Sequence, residues 1–214
     1  MKRTPLLSLP DYQRIFQVAY SVLEASEIAI THRACLFFSS VGMLLLRKDY
    51  KLPATISVGC MALMVDEEKD SVVVYGREEE DKFVCDENGF HAWVECNGWM
   101  IDFMAPIMGV AFREDGGNIK VPRRMLQKRL SDQKASLSEL QRVGDFFVVH
   151  DISLAEIVLN NQQSNQFEDL KNICLEWFRR PPKALRKDIM MGDSYVATPK
   201  PLTTARVPSI DGVW

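Results

Sequence analysis

A cysteine, a histidine and an aspartate carry the chemistry that this sequence can offer. Cys35 lies in residues 31–46, THRACLFFSSVGMLLL, a proline-free run whose apolar residues cover nearly the whole circumference of a helix. Such a helix is predicted to be enclosed by other elements. Thr31 is the predicted N-cap, and Arg47 and Lys48 supply the positive charge that a helix C-terminus favours. Cys35 then falls in the first turn, where free backbone N–H groups and the positive end of the dipole favour a thiolate, the nucleophilic form of cysteine. Free cysteines are also among the most buried residues, so Cys35 by itself is more simply a core residue and its partners must decide.

The partners lie in residues 90–104, FHAWVECNGWMIDFM, two alternating runs joined by Asn97-Gly98. That dipeptide is the strongest short hairpin signal, because a type I′ turn needs positive φ at both central residues. With Asn97 and Gly98 as the loop, Cys96 faces Trp99, Val94 pairs with Ile101, Trp93 with Asp102, and His91 with Met104. His91, Trp93 and Asp102 then share a face. Asp102 lies diagonal to His91 at roughly 7 Å between backbones, whereas Glu95 lies about 13 Å along the strand. Asp102 is therefore the predicted orienter of the imidazole: it accepts from one ring nitrogen and leaves the other free to deprotonate a thiol.

A cysteine opening a buried helix, then His91-Ala92-Trp93-Val94-Glu95, a short turn, and Gly98-Trp99 with Asp102 three residues on, resembles the transglutaminase-like branch of the papain-like cysteine enzymes. It is most similar to the bacterial peptidases that process lasso-peptide precursors. The likeness covers residues 30–106, about a third of the chain. It implies an α+β fold with a central buried helix packed on an antiparallel sheet, with Cys35 as nucleophile, His91 as base and then acid, and Asp102 as orienter. The implied activity is hydrolysis of an amide or peptide bond through an acyl-enzyme. Acyl transfer to an amine, as in transglutaminases, and a catalytically inactive peptide- or protein-binding module are the alternatives. Here the aspartate is followed by Phe103-Met104-Ala105-Pro106, where that family more often has a small polar residue and proline. For the oxyanion, the Cys35 backbone N–H is one candidate donor, and Gln13, Gln17 and Tyr20 on the first helix are candidates for another. Trp93 and His32 are the candidate substrate contacts; a positive His32 would oppose the dipole at a helix start, so it reads as a surface residue or a substrate contact rather than as the base.

The remaining composition narrows the classes. The 214 residues are 47% hydrophobic and 26% charged with a net charge of -3, the profile of an ordinary globular protein with no bias toward nucleic acid or an anionic membrane. The amino-terminal apolar run is broken by Pro5 and Pro10, so it is read as neither signal peptide nor membrane span. Five cysteines without a CxxC pair argue against a disulfide framework and a structural zinc site, and fit a reducing cytoplasm. His91 with Asp102 and Glu95 makes no convincing ligand set, so neither metal nor other cofactor is expected. A peptide or protein is the expected partner, and a homo-oligomer stays open.

Around these residues the pattern predicts a helix over 11–26 capped by Asp11, a hairpin over 54–75 with a five-residue loop, and a solvated acidic loop over 77–89, more simply a plain surface loop than a flap. Residues 122–130, PRRMLQKRL, read as a basic helix opened by proline. A strand over 145–149 ending at His150 precedes additional helices over 153–159 and 167–178. Residues 1–196 are thus expected to form one domain and 197–214 an extended arm, either loose or docked.

Overall fold

Ser8, not Asp11, caps the first helix, α1 (Leu9–Ser26): its side chain accepts from the Asp11 N–H, and Pro10 occupies the first turn, where a missing N–H costs nothing. The computed structural model describes residues 5–80, 82–161, 164–192, 199–204 and 206–214. Thr31 is likewise not a cap. It begins a 3₁₀ turn (Thr31–Arg33), Ala34 stands at the cap position without a side-chain hydrogen bond, and α2 (Cys35–Asp49) starts at the cysteine itself. The tighter turn brings the chain straight into the helix, so Cys35 is its first residue.

The chain continues through β1 (Thr55–Asp66), β2 (Ser71–Tyr75), a ribbon of β3 (Arg77–Glu79) and β4 (Lys82–Val84), β5 (His91–Cys96) and β6 (Trp99–Asp102). The hairpin of β1 and β2 forms as expected, its loop shortened to four residues because Asp66 extends β1 and accepts from the Glu68 and Lys69 N–H groups. The stretch read as a solvated loop is instead partly the β3–β4 ribbon, held by pairing of Arg77 with Val84 and of Glu78 with Phe83.

After a 3₁₀ turn (Ala105–Ile107) come α3 (Met108–Glu114), β7 (Leu126–Arg129), β8 (Phe146–His150), α4 (Ile152–Asn161), α5 (Asn165–Trp177), β9 (Met190–Met191) and β10 (Lys200–Pro201). Residues 126–129 are a strand, against the expected basic helix. β6 needs a partner on its outer edge, and β7 supplies it, with Trp99 opposite Arg129 and Asp102 opposite Leu126. Gln127 is buried but satisfied, since its side chain accepts from the Leu7 N–H and donates to the Leu7 carbonyl. Arg129 lies over the Trp99 ring at 4.3 Å. Tertiary pairing here outweighs local propensity.

The architecture is α+β, a curled antiparallel sheet with helices packed on it. Gly59 pairs with both His91 and His150, and Met61 with both Tyr75 and Val148. β5 and β2 therefore share one edge of β1, end to end, while β8 takes the other. That arrangement sets the start of β5 against the end of β2. One core lies between the sheet and α1, α2, α4 and α5; a second, around Met61, Leu63, Trp93, Met100 and Phe146, fills the opposite face.

The boundary expected at residues 196–197 lies outside the described residues. Beyond it, the arm is docked: Met125 bridges to Val213, the Asp211 N–H donates to the Arg123 carbonyl, and the Trp214 N–H donates to the Met125 carbonyl. Among the described residues no helix is long and apolar enough to cross a membrane.

Candidate active site

The Asn97-Gly98 turn forms with positive φ at both residues, 50° and 75°. The register follows, Cys96 opposite Trp99 and Val94 opposite Ile101, and it brings Asp102 to His91. The His91 Nε2–H donates to Asp102 Oδ2 at 3.0 Å, with both side chains fully buried. The second carboxylate oxygen accepts from the Met104 N–H at 2.8 Å, so the acid is held at both ends. Glu95 is occupied elsewhere: the Trp93 indole N–H donates to it at 2.8 Å, and His150 pairs with the same oxygen.

α2 reaches this hairpin with a strip of small residues one or two turns apart, Cys35, Ser39 and Gly42. The Ser39 hydroxyl donates to the Ala92 carbonyl at 2.9 Å. A Cβ on Gly42 would stand 2.2 Å from the Phe103 ring, so only glycine allows the approach. With Ser39 tied next to His91, the residue one turn earlier, Cys35, meets the imidazole. The Cys35 thiol acts on the imidazole, whose Nδ1 is enclosed and makes no hydrogen bond of normal geometry among the described residues. Thiol–imidazole contacts in unliganded sites are often misaligned until substrate enters. Burial pulls the His91 pKa down, but the charge and hydrogen bond of Asp102, with the Cys35 thiol behind them, outweigh it and lift the imidazole to about 10.

Two tyrosines absent from the sequence reading complete the surroundings. The Tyr12 hydroxyl donates to the Asp102 backbone carbonyl, and its ring stacks on Phe103 at 5.1 Å. Tyr75 stacks on His91 at 4.2 Å between centroids, the rings 19° from parallel. Neither pairing has a local signal, since each joins residues distant in sequence.

The other predicted contacts fall elsewhere. Trp93 is fully buried in the second core and offers no surface to a substrate. His32 pairs with Glu114 at 2.7 Å, and Arg33 with Asp115 at 2.6 Å, so the 3₁₀ turn before Cys35 is tied to the end of α3. Of the α1 candidates, Gln17 lines a groove of about 530 Å³ with Trp177, Leu185 and Thr203, and Tyr20 packs on Phe16. The core-facing side of α1 delivers Tyr12 to the site instead. Cys35 keeps 7% of its surface, while His91 and Asp102 keep none. Among the described residues no group of three His, Cys, Asp or Glu side chains is placed to hold a metal ion.

Compared with known proteins, residues 8–214 match a family described as a protein of unknown function, DUF2026. The chain belongs to the DUF2026 family. A solved crystal structure of a genomics target, APC5867, is 30% identical to this DUF2026 chain and superposes with a TM-score of 0.81, covering 99% of this chain and 98% of the other. No curated protein matches. Cys35, His91, Asp102, the two tyrosines and the docked tail all lie within the matched residues.

Proposed function

We propose that this DUF2026 protein is a cysteine-dependent hydrolase of amide or peptide bonds, built on a papain-like, transglutaminase-like core. The observation that carries the reading is the imidazole of His91, held by Asp102 at 3.0 Å and facing a thiol at the first residue of a helix. The thiol stands beside an imidazole and at a helix N-terminus, the setting in which a cysteine serves as a nucleophile. The thiolate adds to a carbonyl, His91 gives its proton to the departing amine, and the same imidazole then draws a proton from the water that resolves the acyl-enzyme. Asp102 holds the ring in one tautomer throughout. An amine in place of water gives the transfer reaction.

The test is iodoacetamide labelling with peptide mapping at pH 6, in the wild type and in His91→Gln. Cys35 is expected to react at least ~10-fold faster than half-buried Cys85, and the excess is expected to vanish in the variant. Equal rates at Cys35 and Cys85 would sink the catalytic reading and leave a peptide-binding module.

A further inference from the structure

The Tyr75 hydroxyl is enclosed, makes no hydrogen bond among the described residues, and sits on the ring that covers His91. An unpaired buried hydroxyl costs stability, and such groups persist where a ligand or a reacting atom supplies the missing partner. Its position is set by the edge-sharing of β1: Tyr75 closes β2 opposite Met61, two residues from Gly59, which faces His91. The charged groups around the hydroxyl are Asp102 and Cys35 on the catalytic side and Asp115 and Arg33 at the junction of α3 with the 3₁₀ turn before Cys35. The hydroxyl therefore shares the enclosure of His91, and the charges of Asp102 and Cys35 both act on it. The Cys35 N–H at the helix start is one candidate donor, and an acyl-transfer centre calls for a second.

We propose that the Tyr75 hydroxyl is that donor, an oxyanion-hole group for acyl transfer at Cys35. The proposal rests on the acyl-transfer reading above. As the Cys35 sulfur forms its bond to the carbonyl carbon, the C=O π pair moves onto oxygen, and the Tyr75 O–H and the Cys35 N–H donate to it. When the intermediate collapses, the C=O bond re-forms and the bond to the leaving group breaks, its electron pair departing with that group. The tyrosine keeps its proton throughout. Burial, followed by the charges of Asp102 and Cys35, holds its hydroxyl in the protonated, donating form well above its ordinary range.

Tyr75→Phe removes the hydroxyl and keeps the ring on His91. The probes are p-nitrophenyl acetate, whose attack by sulfur passes through an oxyanion and releases p-nitrophenolate, and iodoacetamide, whose displacement by the same sulfur makes none. Acetylation at Cys35, followed by peptide mapping, is expected to slow by at least ~10-fold, toward the ~10²-fold of a lost oxyanion donor. Alkylation of Cys35 and its pH profile are expected to stay at wild-type values, with the melting temperature unchanged or raised. A merely structural role would not split the two reactions. Equal slowing of both would mean that Tyr75 only positions His91, and no change in either would mean that it is inert; both results overturn the proposal. A wild-type Cys35 acetylated no faster than Cys85 would overturn the acyl-transfer reading first, and the proposal with it.

Discussion

His91 keeps its proton although it is fully enclosed, because Asp102 compensates for the lost solvation. This has a signed consequence for stability. The folded-state pKa, about 10, lies above the ordinary histidine value of about 6.5, so the folded protein holds a proton that the unfolded chain releases between those values. The stabilisation is complete below about pH 6.5 and is lost as the pH rises through about 10. His91→Gln is expected to cost roughly 3 kcal/mol at pH 6, the scale of breaking a buried pair. The gap between wild type and variant in urea denaturation should narrow steadily toward pH 10; a gap constant with pH would mean that the imidazole is neutral in the folded protein.

A helix residue chosen for its own propensity would not be glycine, yet Gly42 stands in the middle of α2. Its use is the approach to Phe103, the residue after Asp102. Ser39 ties the same face of the helix to the backbone of β5, and Cys35 completes the strip. Gly42→Ala should therefore destabilise by about 1–3 kcal/mol despite the better helix former, because the added methyl overpacks the ring. The urea midpoint measures the cost. The same variant should slow iodoacetamide labelling of Cys35, since moving Phe103 disturbs the carboxylate that holds His91. A stabilised variant would show that Phe103 can yield without loss.

At the scale of the molecule, the sheet is covered on both faces and the tail pairs with the chain at Met125, just before β7. Trp214 packs on the second core, Arg124 lies over its ring at 5.3 Å, and its backbone N–H donates to Met125. The tail therefore belongs to the folded unit and props the strand beside β6, which carries Asp102. Trp214→Ala is expected to cost about 2 kcal/mol through lost burial and the lost cation–π contact. Chemical denaturation with an unchanged m-value would check it; a cost below about 0.5 kcal/mol, the range of ordinary surface substitutions, would mean that the arm is detached in solution.

Local patterns in the sequence determined the buried helix that begins with Cys35 and the hairpin that pairs Val94 with Ile101 and sets Asp102 beside His91. The helix reads from an apolar run, and the hairpin from alternation around Asn97-Gly98, whose backbone preference fixes the register. Caps were less legible: Ser8 stands in place of Asp11, since short polar residues near a helix start compete for the same N–H groups, and a 3₁₀ turn leads into α2 with Ala34 at the cap position. Only the tertiary structure decided that residues 126–129 are a strand, that Tyr12 and Tyr75 join the site, and that the arm docks. Each of these depends on a partner far along the chain, an open sheet edge or two strands meeting end to end on β1. Spacing in the sequence carries no record of such partners until the sheet has closed.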